Sequence, residues 1–351
     1  MGGRPNVGGI LNIKRLKAIT AVGAAGAITA SIAIAAGATP ALAATDITIG
    51  TVAINAAGTI PYARDNAIFS KNGLNVTELK IFPAPPPSLA ALAAGAVNFV
   101  YAPSIPILNA YANGGMALKV IAPADGYQRT VLAAAKKDPA LARKLDDTGV
   151  CISPTSGIKS FKDLNGKTVS VPARGAQGEV TIAQAVKNAG GDPSTINFVT
   201  LPFPQVVDAV KNGTTSAGFT VEPFTSACTG AGMLNLGSPG IAFFDDEAAI
   251  GMWVTTADYA AKNPATIAAF QKSIYEVNKF AATKAGWDKI LQASLPLTQV
   301  DLATARAANP SYFPSTIVAR DMKAPAEKML KLGFLKTPVD IRGLLIKQYR
   351  P

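Results

Sequence analysis

The chain has 351 residues, of which 49% are hydrophobic and 16% charged, with 33 Lys+Arg against 22 Asp+Glu, two cysteines, no histidine and a formal net charge of +11. This composition excludes an intrinsically disordered protein and a disulfide scaffold, and the absence of histidine excludes Ser-His-Asp and Cys-His hydrolases. We expect two lobes at this length, and neither a cofactor nor a metal site.

The first 43 residues have the pattern of a secretory signal peptide. No acidic residue precedes Asp46, an apolar stretch of mostly small residues spans 18–39, and Ala41 and Ala43 have the small side chains that signal peptidase accepts. The basic residues of the leader are Arg4, Lys14, Arg15 and Lys17. The alternative is a retained anchor, but small residues partition weakly into hydrocarbon. We therefore expect cleavage near Ala43 and export to the periplasm or the exterior of the cell envelope.

The mature chain begins with alternating strand and helix patterns. Strands are predicted over 47–54, 74–82 and 97–101 because these segments are rich in β-branched and apolar residues. A helix is predicted from Pro61 to Lys71, and residues 83–87 are predicted as a stiff link before a second helix over 89–94. The order βαβαβ predicts a mostly parallel sheet with helices on its faces.

The same order recurs in the second half of the chain. Strands are predicted over 167–171, 196–201 and 216–220, and helices over 179–189 and 204–211. Two similar units predict two lobes, each with its own sheet.

The remaining segments indicate how the two lobes are connected. A helix over 140–146 and a strand over 148–153 lie between the units, and a strand over 252–255 and long helices over 257–335 follow them. We expect these helices to return to the first lobe, which gives two crossings and a cleft between the lobes. The predicted domains are a signal peptide at 1–43, a discontinuous lobe I at 44–147 and 251–351, and lobe II at 148–250.

Five segments of the chain form a recognisable series: Pro61–Leu74, Leu92–Phe99, Ile158–Val169, Glu222–Pro223 and Gly251–Tyr259 followed by Asn263–Pro264. In this order they resemble the substrate-binding proteins of ABC importers of the nitrate, sulfonate and taurine class. The resemblance implies an α/β periplasmic-binding-protein type II fold, with two lobes, two interdomain crossings and a ligand cleft. It also implies that the protein delivers a small solute to a membrane permease and its ATPase. We expect that solute to be a small anionic or polar organic molecule, and the protein to be a monomer. The sequence has no Lys/Arg block typical of nucleic-acid-binding proteins.

Candidate ligand contacts lie where predicted strands end, because open α/β sheets bind ligands beyond the carboxyl ends of their strands. The loop after the strand at 167–171 contains Arg174, Gly175, Ala176 and Gln177, in which the glycine permits close backbone approach and the guanidinium offers a forked donor to an oxyanion. The alternative for Arg174 is a solvated loop residue.

Five further candidate contacts lie near other strand ends, and five aromatic residues lie near the predicted cleft. Asn55 and Gly58 follow the first strand, Ser104 precedes a predicted helix over 105–112, and Thr220 and Glu222 follow the strand at 216–220. Asn55 has an equal claim as a turn former and Ser104 as a helix cap. A cleft-facing Glu222 favours a ligand with an N–H or cationic group, and its alternative role is a hinge or a permease contact. The aromatic residues nearest the predicted cleft are Tyr62, Tyr101, Tyr127, Phe203 and Trp253.

The two cysteines, Cys151 and Cys228, both fall in the predicted lobe II. In an oxidising compartment they can pair, and two buried thiols are the alternative.

The leading function is solute binding by lobe closure, without enzymatic activity. One alternative is an enzyme on the same fold, such as a pyrimidine-precursor synthase that sacrifices a histidine, which the absence of histidine opposes. The other alternative is a sensor subunit that reports the ligand to a membrane receptor.

Overall fold

The computed structural model describes residues 44–244 and 249–350, so the predicted signal peptide lies outside the described residues. The described strands are β1 Thr45–Val52, β2 Leu74–Phe82, β3 Phe99–Pro103, β4 Leu118–Pro123, β5 Thr148–Ile152, β6 Thr168–Val171, β7 Asn197–Thr200, β8 Ala217–Val221, β9 Leu234–Asn235 and β10 Gly251–Thr256.

The described helices alternate with these strands and then continue alone to the C-terminal region. They are α1 Thr59–Asp65, α2 Pro85–Ala93, α3 Ser104–Ala112, α4 Arg129–Lys137, α5 Pro139–Leu145, α6 Gln177–Asn188, α7 Phe203–Lys211, α8 Phe224–Gly230, α9 Pro239–Phe243, α10 Ala257–Lys262, α11 Pro264–Ala281, α12 Lys284–Thr298, α13 Leu302–Ala307, α14 Arg320–Lys331 and α15 Ile341–Leu344.

Two five-stranded sheets with the same internal order define the two lobes. The first sheet has the order β2-β1-β3-β10-β4 and the second β7-β6-β8-β5-β9. In each sheet the βαβαβ unit supplies three parallel strands, and an antiparallel strand enters next to the third of them. These antiparallel strands are β5 and β10, the two predicted strands at which the chain crosses from one lobe to the other. The predicted fold class, two α/β lobes of the periplasmic-binding-protein type, is confirmed.

The structure corrects the prediction for residues 83–87. The three prolines at 85–87 were expected in a stiff link, but they form the first turn of α2. A helix needs no backbone N–H donors in its first turn, and the fixed φ of proline suits it, so consecutive prolines are tolerated there. The strand predicted at 97–101 lies two residues later, at β3, and the helix predicted from Pro61 ends at Asp65.

The C-terminal helices pack on the first sheet, as their length and apolar faces predict. Phe270 of α11 stacks on Phe99 of β3 with ring centroids 4.0 Å apart, and Trp253 of β10 meets the same ring edge-on. Phe99, Trp253 and Phe270 are all buried. The long helices therefore close the core of the first lobe rather than forming a third unit.

A disulfide bond joins Cys151 of β5 to Cys228 of α8. It fastens α8 to the second sheet, in which β5 pairs with β8. Both cysteines are buried beside Val206 and Val210 of α7.

None of the helices in the described part of the chain combines the length and the apolar character that a bilayer crossing requires.

Candidate functional site

The two lobes enclose a cavity between facing edges of their sheets. It contains about 570 Å³ of space between atoms, the open solvent at its mouth included. The lining residues of the first lobe and the crossings are Val52, Ile54, Pro85, Tyr101, Pro103, Asp125, Gly126, Tyr127, Asp147 and Ile250, and those of the second lobe are Pro172, Ala176, Gln177, Gly178, Phe203, Phe219 and Val221.

Strand direction explains why these residues meet. The carboxyl ends of β1, β3 and β4 face the cavity from one lobe and those of β6 and β8 from the other, where open α/β sheets hold their ligands. The crossing strands β5 and β10 run antiparallel to their neighbours, so it is their amino ends that lie at this edge. Asp147 therefore precedes β5, and Ile250 precedes β10, at the cavity wall.

The first turn of α6 supplies hydrogen-bond donors to the cavity. Within the described residues, the backbone N–H groups of Gln177 and Gly178 donate to no protein acceptor, and no side chain caps the helix. A Cβ on Gly178 would lie 2.8 Å from the ring of Phe219, so glycine permits the helix end to approach the second sheet this closely. Helix N-termini favour acceptor groups and negative charge, so this end of the cavity suits a ligand oxygen.

The structure places the Arg174 side chain away from the cavity wall. Its Nε and one terminal nitrogen donate to the two carboxylate oxygens of Glu179 at 3.0 and 2.8 Å, and its other terminal nitrogen donates to the Phe198 carbonyl. The Arg174 side chain is 59% exposed, whereas the Glu179 side chain is 7% exposed. Glu179 also accepts the Gly175 N–H at 2.6 Å. Arg174 and Gly175 are thus bonded to Glu179 and hold the loop before α6, while Ala176 and Gln177 line the cavity.

The structure also turns Asn55 and Gly58 away from the cavity. The Asn55 amide is buried, accepts from Ser294 of α12 and donates to the Ala305 carbonyl. A Cβ on Gly58 would lie 2.2 Å from the Ile290 carbonyl oxygen, which shows how closely α12 covers this turn. The sequence prediction assumed an open helix N-terminus after β1, but α12 returns from far along the chain to cover it.

Ser104 and Thr220 are buried next to the cavity rather than on its wall. Ser104 is the first residue of α3, and Pro103 takes the capping position, so the alternative role as a helix cap is not observed. The Ser104 hydroxyl has no hydrogen-bond partner among the described residues, and the Thr220 hydroxyl pairs with that of Thr225 at 2.9 Å.

Glu222 lies at the crossing between the lobes. Its carboxylate accepts from the Ser226 N–H and hydroxyl and from the Asn309 N–H, and its backbone N–H donates to the backbone carbonyl of Asp147. Its carbonyl accepts the Asn55 N–H of the other lobe at 3.1 Å. Burial raises the pKa of Glu222 to about 7. These contacts agree with the hinge role that was the alternative for this residue.

Two carboxyl groups that the sequence analysis did not select lie on the cavity wall. Asp125 is buried and accepts from the Tyr101 hydroxyl at 3.1 Å, and burial raises its pKa to about 6. Asp147 is half-buried, and its carboxylate accepts no hydrogen bond from another residue in the described chain. Burial, and then repulsion from Asp125, Asp146 and Glu222, raises the pKa of Asp147 well above its ordinary value.

Asp146, adjacent to Asp147, has a purely structural environment. Its carboxylate accepts from the Tyr127 hydroxyl, from the N–H and hydroxyl of Thr148 and from the Ile241 N–H, all within 2.9 Å. The two neighbouring aspartates thus differ. Asp146 is hydrogen-bonded to the start of β5 and to α9, whereas the Asp147 carboxylate lies at the cavity wall without a donor from another described residue.

One signal available in the sequence would have found Asp125. It follows β4, and the rule of strand carboxyl ends that selected the other candidates applies equally there. The segment 118–123 was not predicted as a strand, so its end was not searched. Among the aromatic residues predicted near the cleft, Tyr101, Tyr127 and Phe203 line the cavity, whereas Tyr62 stacks on Phe280 and Trp253 packs in the core.

One side-chain hydrogen bond spans the cleft opposite the hinge. The Asn109 amide of α3 donates to the Gly175 carbonyl at 3.1 Å. Gly175 has φ of +63°, and a Cβ there would lie 2.5 Å from the Asn109 amide nitrogen. A glycine is therefore required both for the left-handed backbone and for this approach of the lobes.

As ligand contacts, all nine residues selected from the sequence stay predictions, and the structure fixes only their positions.

Comparisons with known proteins agree with this architecture. Residues 141–291 match the family model described as "NMT1/THI5 like". No curated protein sequence matches the chain.

Similar solved structures include three bacterial binding proteins. The alkanesulfonate-binding protein SsuA of Xanthomonas axonopodis pv. citri, bound to MOPS, has a TM-score of 0.70 at 16% identity, covering 87% of this chain and 99% of that one. The periplasmic nitrate-binding protein NrtA of Synechocystis PCC 6803 has a TM-score of 0.71 at 13% identity, covering 87% of each chain. The periplasmic aliphatic sulphonate-binding protein SsuA of Escherichia coli has a TM-score of 0.65 at 18% identity, covering 87% of this chain and 98% of that one.

At these identities the structural likeness shows the fold. Together with the family model it confirms the resemblance inferred from the five sequence segments: the chain has the two-lobed fold of the periplasmic binding proteins and is similar to the sulfonate- and nitrate-binding proteins among them.

Proposed function

We propose that this chain is the extracytoplasmic solute-binding component of an ABC importer. It captures a small organic solute between its lobes by closure about β5 and β10 and delivers it, as a monomer, to a membrane permease with its ATPase. The single observation that carries the proposal is the inter-lobe cavity, lined from both lobes and reached by the unpaired N–H groups at the start of α6. The basic, apolar leader supports export, with cleavage near Ala43.

The cavity wall favours an organic solute over a bare inorganic anion. Phe203, Phe219 and Ile250 contribute apolar surface, which suits a hydrocarbon body, and burial of that body stabilises binding by roughly 25 cal/mol per Å². The N–H groups of Gln177 and Gly178 suit one oxygen-bearing group, such as a sulfonate, a carboxylate or a carbonyl. Nitrate offers no apolar surface to the aromatic side chains.

We also propose that the chain is not an enzyme. Its sequence has no histidine, which a histidine-sacrificing synthase requires. A sensor role uses the same cavity and differs only in the membrane partner, so transport itself separates the two. Loss of uptake of the bound solute in cells lacking this protein supports import, whereas unchanged uptake with a lost transcriptional response supports sensing.

Thermal shift and calorimetry on the purified protein test the binding step. The panel contains nitrate, taurine, alkyl and aromatic sulfonates, carboxylates and thiamine precursors, and at least one organic member is expected to raise the unfolding temperature. Gln177→Ala removes a cavity side chain and is expected to lower the affinity for that ligand about 3- to 10-fold. Gln184→Ala, on the same helix but hydrogen-bonded to Asn188, is the matched control and keeps full affinity. A panel without any stabilising member contradicts the proposal.

A further inference from the structure

The charges on the cavity wall are of one sign. Among the described residues that line it, the ionisable groups are the carboxyls of Asp125 and Asp147 and the phenols of Tyr101 and Tyr127, and there is no lysine or arginine. Neither aspartate forms an ion pair within the described residues. A cavity whose ionisable groups are acidic and have no basic partner favours a cationic ligand group, which stabilises the ionised carboxylates, over a purely anionic ligand.

A separate observation also indicates a missing hydrogen-bond donor. The side-chain oxygen of Gln177 is buried on the cavity wall and has no hydrogen-bond partner in the part of the chain that the structure describes. A buried acceptor without a partner destabilises the folded chain, and a ligand N–H that donates to it removes that penalty. The carboxylate of Asp147 likewise accepts nothing from another residue, although its neighbour Asp146 accepts four hydrogen bonds.

These acceptors do not form a metal site. In the described parts of the chain, no group of three or more acidic or cysteine side chains is arranged to hold a metal ion. The surrounding wall is largely apolar, which a hydrated cation does not complement but an organic body does. The occupant with matching chemistry is therefore an ammonium or amidinium group attached to a hydrocarbon body.

We propose that Asp147, supported by Asp125, selects solutes that carry a protonated nitrogen. Such a solute places its oxygen-bearing group at the start of α6 and its cationic group at Asp147. The inference rests on the proposed function, since it assigns the second polar end of the same solute site.

The phenol of Tyr101 fixes the position of the Asp125 carboxylate beside Asp147. It donates to both oxygens of Asp125 at 3.1 Å, which leaves the other lone pairs of that carboxylate for a ligand and keeps it on the cavity wall. The titratable groups around Asp147 are the carboxyls of Asp125, Asp146 and Glu222 and the phenols of Tyr101 and Tyr127. None of them is basic, so a bound cation relieves the repulsion among the carboxylates.

Matched pairs of solutes that differ only by an amine test the proposal. The probes are ethane- to hexanesulfonate against their terminal amino derivatives, and benzoate against aminomethylbenzoate, titrated by calorimetry up to about 10 mM. The amino member of at least one pair is expected to bind about 10- to 100-fold more tightly than its partner, the range of a charge-assisted hydrogen bond.

Asp147→Asn is the deciding variant because, among the described residues, the Asp147 carboxylate has neither a hydrogen-bond donor on another residue nor an ion-pair partner to lose. It is expected to remove the preference for the amino member and to leave the affinity for the amine-free member unchanged or improved. It is also expected to weaken the rise in amine affinity between pH 5 and pH 8. Asp258→Asn, which alters an exposed ion pair with Lys262, is the matched control and preserves the preference.

The outcomes separate the two proposals. If amine-free anions bind and their amino derivatives do not, the selection by Asp147 is wrong while the solute-binding function stands. If Asp147→Asn keeps the preference for the amine, the assignment of that residue is wrong. If no member of any pair binds, the selection by Asp147 is wrong, and the solute-binding function fails as well only if no member of the wider thermal-shift panel binds.

Discussion

The buried hinge carboxyl Glu222 makes the stability of this protein depend on pH in a predictable direction. Burial raises its pKa from 4.5 to about 7, against the opposing effect of hydrogen bonds from Asn309 and Ser226. A raised carboxyl pKa means that the folded chain binds a proton more tightly than the unfolded chain does. Its stabilising contribution is therefore complete below pH 4.5 and is lost as the pH rises through about 7.

The size of the effect follows from the two pKa values. At about 1.4 kcal/mol per pKa unit, the difference between 4.5 and about 7 corresponds to about 3 kcal/mol in the free energy of unfolding. For roughly 300 ordered residues, this is a change of about 5 °C in the unfolding temperature. The amide of Glu222→Gln does not titrate, so the variant lacks this contribution at every pH.

The assay compares Glu222→Gln with the parent chain by urea and thermal unfolding from pH 4.5 to pH 8. Any stability that the variant loses through weaker hydrogen bonds of the amide is independent of pH. The informative quantity is therefore how the difference in free energy of unfolding between variant and parent changes with pH. We expect the variant to gain about 3 kcal/mol relative to the parent across this range. Glu327→Gln, at an exposed position of α14, is expected to show no such gain. Parallel pH profiles for the parent and Glu222→Gln would refute the assignment of a raised pKa to the hinge.

Three further predictions concern the disulfide bond and the cleft. Replacing Cys151 and Cys228 together by serine is expected to lower the free energy of unfolding by about 4 kcal/mol, the loop-closure value for a sequence separation of 77. Urea unfolding measures the change, and an unchanged midpoint contradicts the prediction. Asn109→Ala removes the hydrogen bond that joins the lobes across the cleft and is expected to weaken solute binding about 2- to 10-fold in calorimetry, because the proposed closure then has one contact fewer between the lobes. Arg174→Ala is expected to change solute affinity less than about twofold, since its guanidinium binds Glu179; a larger loss returns Arg174 to the ligand site.

The sequence by itself determined the repeated βαβαβ order. The signals for these elements are local: apolar residues that alternate along strands, β-branched runs, and glycines that end helices. For this reason β2 was predicted with its observed bounds, and β6 and β8 within a residue or two. Local chemistry also placed the start of α6 at the ligand edge, because a glycine-containing loop between a strand and a helix suits a helix N-terminus that faces a ligand.

Only the tertiary structure decided which strand ends are open to the cavity. The end of β1 is covered by α12, which the chain adds more than two hundred residues later, so Asn55 is buried although its local pattern matches that of Gln177. The tertiary structure also decides which groups surround a charged side chain. The Arg174 guanidinium binds Glu179, whereas Asp147 lies at the cavity among other carboxylates. Secondary structure follows from neighbours along the chain, but the exposure and charge environment of a side chain are set by segments distant in sequence that folding brings together.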